Sequence, residues 1–283
     1  MFVWLASYPK SGNTLIRSML AAYFFSEDGV YNFDLNSNIR QFPSSKLFER
    51  RGIDLTNEKE VIKNYIKIQE SINQKDKLQF LKTHSYLFNI DNHPFTNLNN
   101  TLGVIYIVRD PRNVVTSYAH HSGISPELAA RSMIELHKYN SDFTSHGAER
   151  TTLYMGTWSG NYNSWKSLKD VGRYLLIKYE DLITNRDMVF RNVIKFLCKL
   201  KGIKFKIDQI KFQNAIESTE FKKMQKLEQE EGFSEAKTNS KTGKKIPFFN
   251  LGEKNDWKKI LNPEIKIKIE KNFKKEMKEL GYL

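Results

Sequence analysis

The first two dozen residues restrict the fold more than any other part of this chain. Phe2-Val3-Trp4-Leu5-Ala6 is a short apolar, β-prone run, and Ser7-Tyr8-Pro9-Lys10-Ser11-Gly12 is polar and turn-forming. Leu15, Ile16, Met19, Leu20, Tyr23 and Phe24 then recur every three to four residues, the spacing of a helix buried on one face. Strand, tight turn and helix in that order put Ser11, Gly12, Asn13 and Thr14 at the helix head. Amides there have no partner within the helix and carry the positive end of its dipole; Lys10 adds a full charge. The combination is an anion site. It lacks the Walker A spacing of Gly, four residues, then Gly-Lys-Ser/Thr, because Lys10 precedes a single glycine. Taken alone, the short motif also fits an ordinary strand-to-helix turn.

With 283 residues, 40% of them hydrophobic, the chain can bury a full core as one large α/β domain or two smaller ones. A formal charge of +13 suits an anionic ligand, nucleic acid or an anionic membrane surface. Nucleic acid is set aside, since neither a recognition motif nor a block of consecutive basic residues accompanies the charge. From Leu200 to Leu283 the excess is Lys without Arg, the signature of a solvated face rather than a bidentate recognition surface. Cys198, the single cysteine, lies in an apolar run and reads as a core residue, so no disulfide forms within the chain. No stretch reaches the ~20 apolar residues of a membrane span. A soluble, cytoplasmic protein is expected.

Leu78 to His84 is a second short strand ending in Lys82-Thr83-His84. In open parallel sheets ligands bind beyond the carboxyl ends of the strands, so Lys82 and His84 share a rim with Lys10. Leu102 to Val108 is a near-continuous apolar run, typical of a strand buried on both faces. It delivers Arg109, and Pro111 opens a helix that carries Ser117. Arg173 to Lys178 reads as a further buried strand, followed by Tyr179-Glu180-Asp181, whose acids are suited to capping a helix near Arg186. Strands near residues 2 to 7, 79 to 83, 103 to 108 and 174 to 178 predict an α/β fold: a three-layer, P-loop-like domain spanning 1–283, with a short central parallel sheet flanked by helices. Between them, Glu27–Arg51 reads as a long loop, Glu58–Asn73 as helix and Pro126–His146 as mostly helix. Glu228–Lys245 reads as a mobile charged loop fit to act as a lid, and Glu264–Leu280 as a last helix. Trp158, Tyr162 and Trp165 read as core, and His120 and His121 as a surface pair without assigned chemistry.

YPKSGNT, running on into LIR, resembles the phosphosulfate loop of the sulfotransferases that use 3'-phosphoadenosine 5'-phosphosulfate (PAPS), usually written YPKSGTTW. Later segments are similar to that family's in the same order over most of the chain. LKTH resembles its KTH; Arg109 to Ser117 its RxPxDxxxSxxxx; Gly156 to Trp165 its GSWxxHVxxWW; Tyr179 to Leu182 its YEDL; Ser218 to Met224 its TSFxxM; Asn250 to Lys258 its RKGxxGDWK. There are departures. Asn113 replaces an Asp, Leu15 the loop's Trp, Asn250 and Leu251 an Arg and a Lys, and Asn255 a Gly.

The resemblance implies transfer of a sulfonate group from PAPS to an acceptor hydroxyl or amine, leaving 3'-phosphoadenosine 5'-phosphate (PAP), with no metal. It implies His84 as general base, with an imidazole pKa near working pH, and Lys10 and Lys82 as stabilisers of the transferred sulfonate and leaving phosphate. Cofactor-binding residues carried over are Lys10, Ser11, Gly12, Asn13, Thr14, Arg109, Ser117, Tyr179, Thr219, Phe221 and Gly252. Lys254 is expected to reach the 3'-phosphate in place of the missing Arg and Lys, with Lys244 and Lys245 as alternates. A P-loop-like nucleotide phosphotransferase or kinase and a noncatalytic nucleotide-binding relative are the competing readings. The acceptor is unidentified, its pocket expected from the irregular stretches Tyr31–Arg51 and Phe88–Leu98; a homodimer is left open.

Overall fold

The computed structural model describes residues 1–74, 77–135, 138–141, 151–238 and 243–283. Five parallel strands form the central sheet: β1 Phe2–Ser7, β2 Arg40–Gln41, β3 Gln79–Thr83, β4 Thr101–Val108 and β5 Tyr174–Lys178, in the order β2-β3-β1-β4-β5. Four of the five were legible as apolar runs. β2 was not, because two residues pairing with Leu81 and Lys82 leave no periodicity in what reads as a loop.

The pleat sorts side chains between two cores. Phe2, Trp4 and Ala6 of β1 join Val104, Tyr106 and Val108 of β4 on one face; Val3 and Leu5 join Ile105 and Ile107 on the other. Helices cover both faces, giving the three layers expected. On the first face Trp4 is fully buried among Phe42 at 5.8 Å, Phe95 at 5.2 Å and Trp165 at 6.0 Å between ring centres. Its Nε1–H donates to Thr101 Oγ1 at 3.1 Å. On the second face pack α1, Asn13–Phe25, and α2, Arg186–Lys201. Cys198 is buried there, as expected.

Several boundaries differ from the sequence reading. The helix at Pro126 ends at Ile134, and Lys138–Ser141 pairs antiparallel with Thr151–Tyr154, a non-local pairing that helical spacing cannot reveal. His137 and residues 142–150 lie outside the described residues. Glu228–Glu231 continues the helix Phe221–Glu231, so the loop starts at Gly232. The last helix divides into Pro263–Asn272 and Lys274–Glu279 at Phe273, whose ring packs on Trp158 at 5.1 Å. Glu180 caps nothing near Arg186: its oxygens accept from the Asp110 amide at 3.0 Å and the Tyr282 hydroxyl at 2.9 Å.

The chain runs from β1 outward to β2 and β3, then crosses to the other side of β1 for β4. Such a reversal opens a crevice at the carboxyl ends of the strands, and Ser7, Thr83, Val108 and Lys178 all end there. If the Trp4 nest is what fixes β1 in the middle, Trp4→Ala should lower stability by roughly 3–5 kcal/mol in urea unfolding. A loss below about 1 kcal/mol would mean that the neighbouring rings close over the gap and carry the sheet without it.

Candidate active site

The turn after β1 is held in a shape few sequences adopt. Lys10 has φ 64° and Gly12 φ 103°, left-handed backbone that is costly for a side chain outside functional sites. A Cβ on Gly12 would lie 2.5 Å from the Tyr179 ring, so only glycine fits. Helix α1 starts there without a side-chain cap, and the amides at its head lack intrahelical partners. Asn13 braces the turn: its Nδ2 donates to Leu5 O at 2.9 Å and Ser7 Oγ at 3.2 Å. Ser11 Oγ is buried without a hydrogen-bond partner.

A cavity of about 320 Å³ opens over this turn and takes Lys10, Gly12, Asn13, Thr14, Lys82, His84, Arg109, Ser117, Tyr179, Thr219, Phe221 and Gly252 into its wall. Twelve positions scattered from 10 to 252 in sequence thus converge. Lys254 does not join them; it is exposed, on the short turn Gly252–Lys254, while Lys244 and Lys245 line a neighbouring groove. The cations that sequence reasoning missed on this wall are Arg186 and Lys237.

His84 is buried, and its Nδ1 lies 2.9 Å from Ser7 O and 3.3 Å from Ser7 Oγ. A carbonyl only accepts, so Nδ1 carries the proton and Nε2 presents a lone pair. Burial, then the nearby Lys82 charge, pushes the imidazole down to about 3, keeping it neutral. Lys10 Nζ stands 3.8 Å over the Phe248 ring. Burial, opposed by Glu235 and reinforced by Arg109 and Lys82, lowers its pKa to about 7. Lys82 donates to both oxygens of Glu235 at 2.9 Å, and Arg17 reaches the same carboxylate at 2.6 Å. Burial lowers the Lys82 pKa, Glu235 opposing it. Arg109 donates to Lys10 O at 3.2 Å and lies 4.2 Å over the Tyr179 ring, with its Nε unpartnered.

Away from Lys10 the wall is made of Tyr179, Thr219, Phe221, Met224 and Gly252. The Thr219 hydroxyl donates to Ala215 O at 2.6 Å, so it closes the preceding helix. The ring of Phe221 would sit 2.7 Å from a Cβ on Gly252. The wall also has an apolar part: Leu153, Met155 and Phe248. None of it comes from Tyr31–Arg51 or Phe88–Leu98, whose Phe42, Phe48, Phe88 and Phe95 are core. His121, expected on the surface, is buried in this wall.

Against known proteins, the model of the sulfotransferase domain family matches residues 2–281. The chain is 26% identical over 280 residues to the flavonol 3-sulfotransferase of Flaveria bidentis, covering 95% of this chain and 79% of that one. It is 21% identical over 283 residues to the luciferin sulfotransferase of Photinus pyralis, covering 96% and 70%. Among solved structures it superposes on mouse sulfotransferase SULT7A1 in complex with PAP with a TM-score of 0.58, at 16% identity over 97% of this chain and 84% of that one. Retinol dehydratase in complex with retinol and PAP gives 0.61, at 16% identity over 98% and 81%. The chain belongs to the sulfotransferase domain family, and the enzyme class expected from its loop, a PAPS-dependent sulfotransferase, is that family's. Among the described residues no group of His, Cys, Asp and Glu is arranged to hold a metal ion, and no helix is long and apolar enough to cross a membrane.

The turn fits a phosphate: an uncapped helix head, a glycine cradle and the unpartnered Arg109 Nε call for an anion, while Ser11 is buried behind the cavity wall. Lys10 is cationic below about 7 and neutral above it. PAP affinity of the free enzyme should therefore fall as pH rises from 6 to 9, by about tenfold if Lys10 supplies one charge-assisted contact. In Lys10→Met calorimetry should find weaker binding at pH 6 and most of that pH dependence gone; an unchanged slope would assign it to another group.

Proposed function

We propose that this chain acts as a single sulfotransferase domain and moves a sulfonate group from PAPS to a hydroxyl on an apolar acceptor, with His84 as the general base. The observation that carries this is the His84 imidazole, with Nδ1 tied to Ser7 O at 2.9 Å and Nε2 left as the proton acceptor. The apolar wall residues Leu153, Met155 and Phe248 suit a hydrophobic acceptor scaffold.

His84 Nε2 takes the acceptor's hydroxyl proton as that oxygen bonds to sulfur and the bond from sulfur to the phosphate oxygen breaks. Lys10 and the amides at the head of α1 take up the charge that develops on the departing phosphate, a preorganised stabilisation. Lys82 faces the sulfonate. A pKa near 3 is low for a base, but part of the depression comes from the charges of Lys82 and Lys10. A bound polyanion adds negative charge beside these cations, so the imidazole gains basicity when donor is in place. At the other end Arg109 and Ser117 hold the 3'-phosphate, with Arg186 restoring a cation that the segment at 250 and 251 lacks; Tyr179 and Phe221 flank the base. A reducing, cytoplasmic setting accords with the lone, buried Cys198.

Two measurements test this reading. PAP should raise the melting temperature, whereas ATP with Mg²⁺ should not match it; the reverse order would support a phosphotransferase. His84→Ala should lower turnover by about 10² to 10⁴ with PAP affinity nearly intact. Joint collapse of folding and PAP binding would instead make His84 a core residue.

A further inference from the structure

Glu235 brings a carboxylate into a site built for anions. It sits on a turn closed by the Ala236 amide donating to Phe233 O at 3.0 Å. Phe233 is buried, its ring 4.7 Å from that of Phe33 and 4.8 Å from that of Phe248, so the turn is pinned over the cavity. From there the carboxylate spans Lys82, 2.9 Å from each oxygen, and Arg17 at 2.6 Å. Both cations are more than nine-tenths buried. Burial alone would raise the Glu235 pKa; Lys82 and Arg17 overcome it and hold the carboxyl well below the usual range. A charged carboxylate, planar and bidentate, therefore occupies the cation beside His84.

With the 5'-phosphate on the head of α1, the group next to it toward His84 and Lys82 is the sulfonate. PAPS carries that anionic group and PAP does not. We propose that Glu235 is a specificity residue that stands in for the sulfonate on Lys82, so that the site distinguishes donor from spent donor. The inference rests on the donor reading above. PAPS must exchange its sulfonate for the carboxylate, whereas PAP leaves the Glu235–Lys82 pair intact. Once the sulfonate has moved to the acceptor, the carboxylate returns to Lys82. A buried ammonium is thus paired at every stage, which its desolvation demands.

Calorimetric titration of PAP and of PAPS, each without acceptor, into wild type and Glu235→Gln tests this. Glutamine keeps the shape and removes the competing charge. The change in PAPS affinity on going to the variant should exceed any change in PAP affinity, in the direction of tighter binding, by at least about tenfold, a charge-assisted contact's worth. In wild type, amide hydrogen exchange across 233–237 should accelerate with PAPS and not with PAP. Equal changes for the two nucleotides, or weaker PAPS binding by the variant, would overturn the proposal. Should Glu235→Gln fail to fold, exchange on wild type decides, and identical protection with both nucleotides rejects it. If PAP fails to bind wild type at all, the donor reading falls and this inference with it.

Discussion

β1 is hydrogen-bonded to a parallel strand on each side, and all six of its residues are buried. A strand so enclosed has one direction in which to end, and the chain leaves it at the point where the strand order reverses. The turn after Ser7 must then rise between the ends of β3 and β4, which is why His84 and Arg109 meet it. The close approach of Gly12 to Tyr179 links the same turn to β5. Site geometry here follows from the sheet order, with no element dedicated to assembling it.

Legibility in the sequence divided along the same line. Local features survived: the turn, the apolar runs of β1, β3, β4 and β5, the last a half-buried edge strand with only Ile177 fully enclosed, and the residues immediately after each strand, because a strand's end delivers its next side chain to the rim whatever packs around it. Features set by distant pairing did not. β2 was too short to pattern, and the hairpin at Lys138–Ser141 depends on a partner beyond an undescribed stretch. Phe42 and Phe95 lay in segments that looked irregular yet fill the core around Trp4. His121 did leave a signal. It continues the buried series Val114, Val115 and Tyr118 on the helix Pro111–Ser122, and helical spacing alone would have turned it inward.

Glu235 left none. It lies between Ser234 and Ala236 in the charged stretch Glu228–Lys245, and composition makes such stretches look solvated. Its place is dictated by charge that accumulates elsewhere. Lys10, Lys82, Arg17 and Arg109 approach one small volume, and cations withdrawn from water need a partner or a lowered pKa. Both solutions occur here. Lys10 rests on the Phe248 face and titrates low, while Lys82 and Arg17 share a carboxylate. One carboxylate shared by two cations leaves the site with a net positive charge, so an arriving anion is still attracted.

The departures from the family's usual segments show how compensation works when the parts lie far apart in sequence. Asn113 stands for an Asp, yet its Oδ1 still accepts from the Trp257 amide at 2.9 Å, which needs an acceptor and no charge. Asn255 stands for a Gly, and its side chain is used. Nδ2 donates to Asn113 O at 3.0 Å, and Oδ1 accepts from Thr116 Oγ1 at 2.7 Å. Segment 250–258 is therefore stitched to the helix that bears Ser117 by neutral hydrogen bonds. Those bonds fix where Gly252 meets Phe221, so the backbone of the segment is retained while the cations once expected of it are not. Lys254, on the outside of that same backbone, does not line the cavity. Arginines on other elements line the cavity instead: Arg109 after β4 and Arg186, the first residue of α2.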